Sequence, residues 1–440
     1  MRLGMVAGAM AAAAILVAAA PPLAEAQATI AISCSSLGIE AQLCREGAED
    51  WARRTGNQVR LVSTPNSGSE RLALYQQLLA ARSADIDVFQ VDVVWPGILG
   101  SHLRDLGPDL DTAGHFEEVV RNNTVDGRLV AMPWFASAGL LYYRRDLLEA
   151  HGRPVPETWR ELTGTATTVM QAARAAAGND RMWGHVFQGR AYEGLTVNGL
   201  EWIASHGGGR IVEPDGRISV NNPRAVEALT LARSWIERIT PLGVLNYAEE
   251  EARGVFQSGN AVFMRNWPYA WPLLNAEDSP VRGKVGVAVL PRGDGEGGVH
   301  AAGLGGEQLA VSRYTRRAEQ AVDLVRHLTS RAEQKRRAIA GGFTPSITDL
   351  YEDEEILAAN PFFRDLLQIF RSAAARPSGV TGPHYNRVST EFANAVHAVL
   401  SGQMEPAAAL AAAWIAPAAR RRIVTAPGRA AARRRIRTAA

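Results

Sequence analysis

The richest run of ligand-capable side chains in the sequence is Met264-Arg265-Asn266-Trp267-Pro268-Tyr269-Ala270-Trp271. Three aromatic residues within five positions, stiffened by Pro268, are unusual for a core strand. Flat apolar rings beside hydrogen-bonding side chains suit a sugar. Its C–H faces stack on rings while its hydroxyls need donors and acceptors. Ordinary core packing would use the same residues, and the spacing alone leaves both readings open.

Other patterns that could do chemistry are weaker. Gly293, Gly295 and Gly298 satisfy a G-x-G-x-x-G spacing, but Asp294 and Glu296 sit inside the loop and no helix pattern begins at Val299. A dinucleotide phosphate needs a helix N-terminus and tolerates little negative charge there, so the run reads as a solvent-exposed hairpin loop. There is no G-x-x-x-x-G-K-[ST] phosphate loop and no G-x-S-x-G nucleophile elbow. The nine histidines are scattered without i, i+3 or i+4 pairing, so zinc ligation has no support. Glu249-Glu250-Glu251 and Glu352-Asp353-Glu354-Glu355 read as solvated faces. No motif points to the paired carboxylates of a glycosidase. The expectation is no catalytic residue, no cofactor and no metal.

The chain of 440 residues is too long for one ordinary core, and 47% apolar with 21% charged residues is globular material. The formal charge of +2 is uneven: eight arginines and no acid follow Glu405, so the rest of the chain is acidic and unsuited to nucleic acid. Arg2 is followed by the uncharged Leu3–Ala20, then Pro21-Pro22 and Ala24-Glu25-Ala26. This pattern predicts a secretory signal over 1–26, cleaved after Ala26 or alternatively after Ala28, with an uncleaved anchor as the other reading. The expected location is the periplasm. In that oxidising compartment Cys34 and Cys44 can close a disulfide worth about 2–3 kcal/mol, the alternative being two buried thiols.

Elements must position these groups. Strands are expected over Thr29–Ser33, Val59–Ser63 and Ile86–Val91, with helices over Ile39–Thr55 and Glu70–Ala81 between them. Strand–helix–strand at this spacing implies a parallel sheet whose ligand site lies at the strand C-termini, near Ser35–Gly38, Thr64–Ser69 and Asp92–Trp95. Further strands are expected at 129–134, 139–143, 285–290 and 308–311, with residues 159–280 mostly helical. Helices follow over 316–330, 362–375 and 389–400. The Ala/Arg-rich stretch 413–440 reads as a disordered tail or the product of a reading-frame change.

Several blocks together resemble the periplasmic sugar-binding proteins of ABC importers, extracellular solute-binding family 1, in its trehalose/maltose-binding branch. They are 63–72, Asp85–Trp95, Ala138–Arg144, Phe263–Tyr269 and Ala375-Arg376-Pro377, and the likeness covers about residues 28 to 410. The resemblance implies an α/β, two-lobed periplasmic-binding-protein fold of type II, each lobe a sheet flanked by helices. A multi-strand hinge would join the lobes, with crossings near Ser137, Gly303 and Pro345. The lobes would be 27–137 with 303–345, and 138–302 with 346–412.

The family's ligand contacts fall on residues of this chain. Asp92 and Glu40 match acids that accept from sugar hydroxyls, and Arg71 and Arg376 match basic donors. Trp267 and Tyr269 match stacking aromatics, and Gly306 matches a backbone contact in the hinge strand. Two positions depart from the branch: Ser137 stands where it has Asp, and Glu307 where it has Trp. The pocket would lose one carboxylate and one ring and gain a carboxylate elsewhere. The function implied is a solute receptor, expected monomeric, that binds a small sugar or polyol and delivers it to membrane permease subunits. A periplasmic glycoside-processing enzyme and a chemosensory sugar receptor are the alternatives.

Overall fold

The computed structural model describes residues 27–178, 180–371 and 373–415. The expected signal segment 1–26 and most of the expected tail lie outside them. Twelve strands occur among the described residues: β1 (Thr29–Cys34), β2 (Gln58–Ser63), β3 (Val88–Asp92), β4 (Thr124–Val125), β5 (Arg128–Leu129) and β6 (Met132–Ala138), followed by β7 (Leu140–Arg144), β8 (Trp183–Val186), β9 (Ala261–Asn266), β10 (Val285–Ala288), β11 (Leu304–Val311) and β12 (Thr344–Pro345).

β1 pairs in parallel with both β2 and β3, as two short apolar strands joined through helices must. The helix Glu40–Thr55 stops at Gly56, whose left-handed backbone (φ 75°) returns its N–H to the carbonyl of Ala52. The next helix, Gly68–Ala80, is started by Ser67, whose side chain accepts from the Glu70 N–H. The antiparallel strand β11 inserts between β3 and β6, giving a six-stranded sheet in the order β12-β6-β11-β3-β1-β2. A second sheet, β10-β7-β9-β8, is built from residues 140–288. The molecule is thus two-lobed α/β, with helices on its sheets.

The chain passes between the sheets at Gly139, two residues beyond Ser137, and again between β10 and β11. The loop holding Gly293, Gly295 and Gly298 makes that second passage, so it is not a hairpin. β8 and β9 lie inside the stretch expected to be mostly helical. Both are short and almost wholly buried, so they carry no polar alternation to mark them as strands. Each sheet has its own core. Trp159, Trp202, Trp235 and Phe187 centre that of the second sheet, and Trp51, Trp134 and Leu328 pack on one face of the first. The helix Pro406–Ile415 buries Ala409 and Leu410, so residues 413–415 belong to a packed helix and not to the tail. Among the described residues no helix is long and apolar enough to cross a membrane.

Cys34 ends β1 and Cys44 lies one turn into the following helix. Their Cα atoms are 6.5 Å apart and the sulfurs are bonded.

Candidate functional site

A cavity lies where the two sheets meet. Glu40, Arg71, Asp92, Ser137, Trp267, Tyr269, Gly306, Glu307 and Arg376 all border it. They arrive from distant parts of the chain. Asp92 ends β3, Ser137 lies in β6, and Gly306 and Glu307 lie in β11. Trp267 and Tyr269 follow β9 from the second sheet. Gly306 has φ 124°, and a Cβ there would stand 2.4 Å from the Phe135 carbonyl oxygen. Only glycine fits at that bend of the strand.

Arg376 is the central cation. Its Nη2 donates to Asp92 Oδ1 at 2.9 Å and to the Leu304 carbonyl at 3.2 Å, while Nη1 donates to Glu193 Oε1 at 2.6 Å. The side chain is 2% exposed, so this is no surface ion pair. Burial works against the Arg376 charge, but Asp92, Tyr385 and Glu193 hold it protonated. Asp92 also accepts from the Val94 N–H at 3.0 Å.

Arg71 pairs with Glu307 and lies 5.1 Å from the Trp95 ring. Glu307 is not a freely offered carboxylate, because Oε1 is taken by Arg71, while Oε2 has no partner among the described residues. Burial pushes Glu307 up to about 8; Arg71 opposes the shift, and the nearby Asp92 and Glu40 charges add to it. Glu40 accepts from Gln90 Nε2 at 2.9 Å, and burial raises its carboxyl as well.

The ring of Trp267 lies 3.9 Å from the Arg265 guanidinium carbon. Arg265 is itself paired with buried Glu201, with Nε to Oε2 at 2.9 Å. The Tyr269 hydroxyl donates to Glu250 Oε1 at 2.7 Å. The cavity therefore offers aromatic rings, Trp267 and Tyr269 with Phe135, Tyr192 and Phe343, together with fixed guanidinium donors and several carboxylate acceptors. No group of three or more metal-ligating side chains occurs among the described residues.

A family profile for bacterial extracellular solute-binding protein matches residues 40–335. The chain belongs to that family. A relative from Deinococcus radiodurans, described as a probable ABC transporter-binding protein, is 50% identical over 386 residues, covering 87% of this chain and 91% of its own. The mannitol-binding protein of Pseudomonas aeruginosa is 26% identical over 307 residues, or 66% of this chain and 69% of its own. The solved structure of maltose-bound MalE3 from T. maritima superposes with a TM-score of 0.83 at 37% identity, covering 88% of this chain and 98% of that one.

This solute-binding protein also brings to the cavity residues that the sequence did not single out. Tyr192, Glu193 and Glu249 border it, and the Tyr192 hydroxyl donates to Glu249 Oε2 at 2.7 Å. The run Glu249-Glu250-Glu251 is therefore a solvated face only in part: Glu251 is exposed, while Glu249 borders the cavity. It opens the helix Glu249–Gln257 at the cavity: Glu249 faces the space, Glu250 holds Tyr269, and Glu251 accepts from the Ala248 N–H. Three acids at a helix start close to the aromatic motif in sequence were the available signal. Nothing comparable marks Tyr192 or Glu193. The second acidic run does lie at the surface, where Asp353 caps the helix Glu354–Ala359 and pairs with Lys335.

Proposed function

We propose that this chain is the solute receptor of an ABC import system, taking a small sugar or polyol of maltose- or trehalose-like size into the cavity between its sheets. It would then hand the ligand to membrane permease subunits. The observation carrying this is convergence. Residues from both sheets and from the segment after the helix Phe363–Arg371 border one cavity that pairs the Trp267 ring with buried donors and acceptors. The maltose bound in one structural relative and the mannitol-binding character of one sequence relative support the ligand class.

On this reading the lobes 27–137 with 303–345, and 138–302 with 346–412, close on the ligand by bending at the β6–β7 and β10–β11 passages. The protein acts as an exported monomer with its signal removed. It binds without chemistry, so ligand is recovered unchanged.

A thermal-shift screen of the mature chain against sugars and polyols, with calorimetry on each hit, tests the reading. Binding to the folded state alone raises the melting temperature. A saturable shift with a sugar or polyol, and intact ligand afterwards, supports it. Turnover of the ligand, or shifts only with ligands of another class, overturns it.

A further inference from the structure

Arg337, on the helix Arg331–Gly341, is buried with a side chain 1% exposed. Its Nε, Nη1 and Nη2 find no hydrogen-bond partner among the described residues. A buried cation in that condition is costly unless other forces hold it. Two forces do. The guanidinium carbon lies 3.8 Å from the centre of the Trp134 ring and 4.6 Å from that of Phe343, which gives it two aromatic faces. Its Nη2 also lies 3.7 Å from Glu40 Oε1.

This arrangement stands directly behind the ligand cavity. Glu40 and Phe343 border the cavity, and Arg337 does not. Glu40 meets charged and polar groups from every element around it. Arg337 faces it from its own helix and Arg71 from the helix Gly68–Ala80, while Gln90 on β3 and Ser35 after β1 bond to it. Glu307 on β11 is the like charge nearby. Burial pushes the Glu40 carboxyl up, and Arg337 is the strongest influence opposing that, ahead of Arg71. Arg337 is itself drawn down by burial to about 10, which leaves it charged at neutral pH. A planar guanidinium can stack on rings and still present its edge to a carboxylate; a lysine ammonium stacks less well.

We propose that Arg337 is the positioning residue for Glu40, holding that carboxylate ionised and fixed at the cavity wall so that it accepts hydrogen bonds from ligand hydroxyls. The proposal rests on the receptor reading for the ligand, but its electrostatic core needs none.

The test is a carbon-13 titration of the glutamate carboxyls in the mature, ligand-free protein, with Glu40 assigned by Glu40→Gln. Glu40 is expected to be ionised at pH 7. In Arg337→Met its midpoint should move up by about one pH unit or more, and Arg337→Lys should restore most of the difference. A merely structural role for Arg337 would lower the melting temperature without moving that midpoint. Wild-type Glu40 found protonated at pH 7, or an unmoved midpoint in Arg337→Met, overturns the proposal. The wild-type measurement stands even if Arg337→Met does not fold. With maltose as probe at pH 7, Arg337→Met should bind about tenfold more weakly, and the double change with Glu40→Gln no more weakly than Glu40→Gln alone. Failure of wild type to bind any sugar or polyol counts against the receptor reading and leaves the titration to decide this one.

Discussion

Asp92 and Glu307 are cross-strand partners: the antiparallel register of β3 and β11 sets the two carboxylate residues directly opposite each other. Like charges so placed destabilise a strand pair. Each is instead held by its own arginine, Asp92 by Arg376 and Glu307 by Arg71. The result is a row, Arg376–Asp92–Glu307–Arg71, in which two adjacent acids are flanked by two arginines along one wall of the cavity. Removing either arginine would leave an uncompensated buried carboxylate beside another, the costly way to break such a network.

The row has a pH signature. Glu307 is raised to about 8, above the ordinary carboxylate value, so folding favours its protonated form. Such a group contributes stability that is fully present below the ordinary value and is lost as pH rises towards 8. Glu307→Gln cannot titrate and still offers an oxygen to Arg71. Relative to the variant, wild type should therefore lose about 2 °C or more of melting temperature between pH 5 and pH 8. Paired thermal melts across that range check this; parallel curves would mean that Glu307 is ionised throughout.

Trp267 is only partly buried, and its ring borders the cavity beside Gly305, where an added Cβ would come within 3.0 Å of it. Trp267→Ala should weaken binding of the ligand found in the screen by about 1–3 kcal/mol through lost apolar burial. The melting temperature of the ligand-free protein should change little. Calorimetry that finds equal affinity would assign the ring to packing instead.

The Cys34–Cys44 bond fastens the end of β1 to the helix that carries Glu40. Replacing both cysteines with serine should cost about 2–3 kcal/mol by freeing the unfolded chain. Chemical denaturation measures that loss. Mass spectrometry of unreduced wild type should show no free thiol.

What the sequence discloses depends on how local each signal is. The aromatic motif at Trp267 is readable because its residues are neighbours in the chain. Gly56 as a helix stop and the β1–β3 alternation are readable for the same reason. The partner of Glu307 is not, because Arg71 lies 236 positions away and only the insertion of β11 beside β3 brings them together. Glu249 was hidden differently. A run of three acids usually marks solvent, and only the placement of its helix turns one of them towards the cavity. Arg337 looks like one of several basic residues on a strongly polar helix, and its burial against Trp134 follows from tertiary packing alone.

Ser137 and Glu307 both border the cavity, and the receptor reading predicts that they set its specificity. Where the trehalose/maltose-like pattern has Asp and Trp, this chain has a hydroxyl and an arginine-bound carboxylate. A sugar hydroxyl bonded to a carboxylate gains about 1.5–3 kcal/mol, and a buried carboxylate left unmet costs a similar amount. Glu307 has one oxygen committed to Arg71 and the other closed off from the cavity, so it replaces neither the acid nor the ring of that pattern. Trehalose and maltose should therefore bind at least about tenfold more weakly than the true ligand, or roughly 1.4 kcal/mol. The double change Ser137→Asp with Glu307→Trp restores an acid and a ring platform and also releases Arg71 to donate to the sugar. It should shift preference towards trehalose. Calorimetric titration of both proteins with trehalose decides the matter. Tight trehalose binding by wild type, or no shift in the double variant, would show that these two positions do not set the choice of sugar.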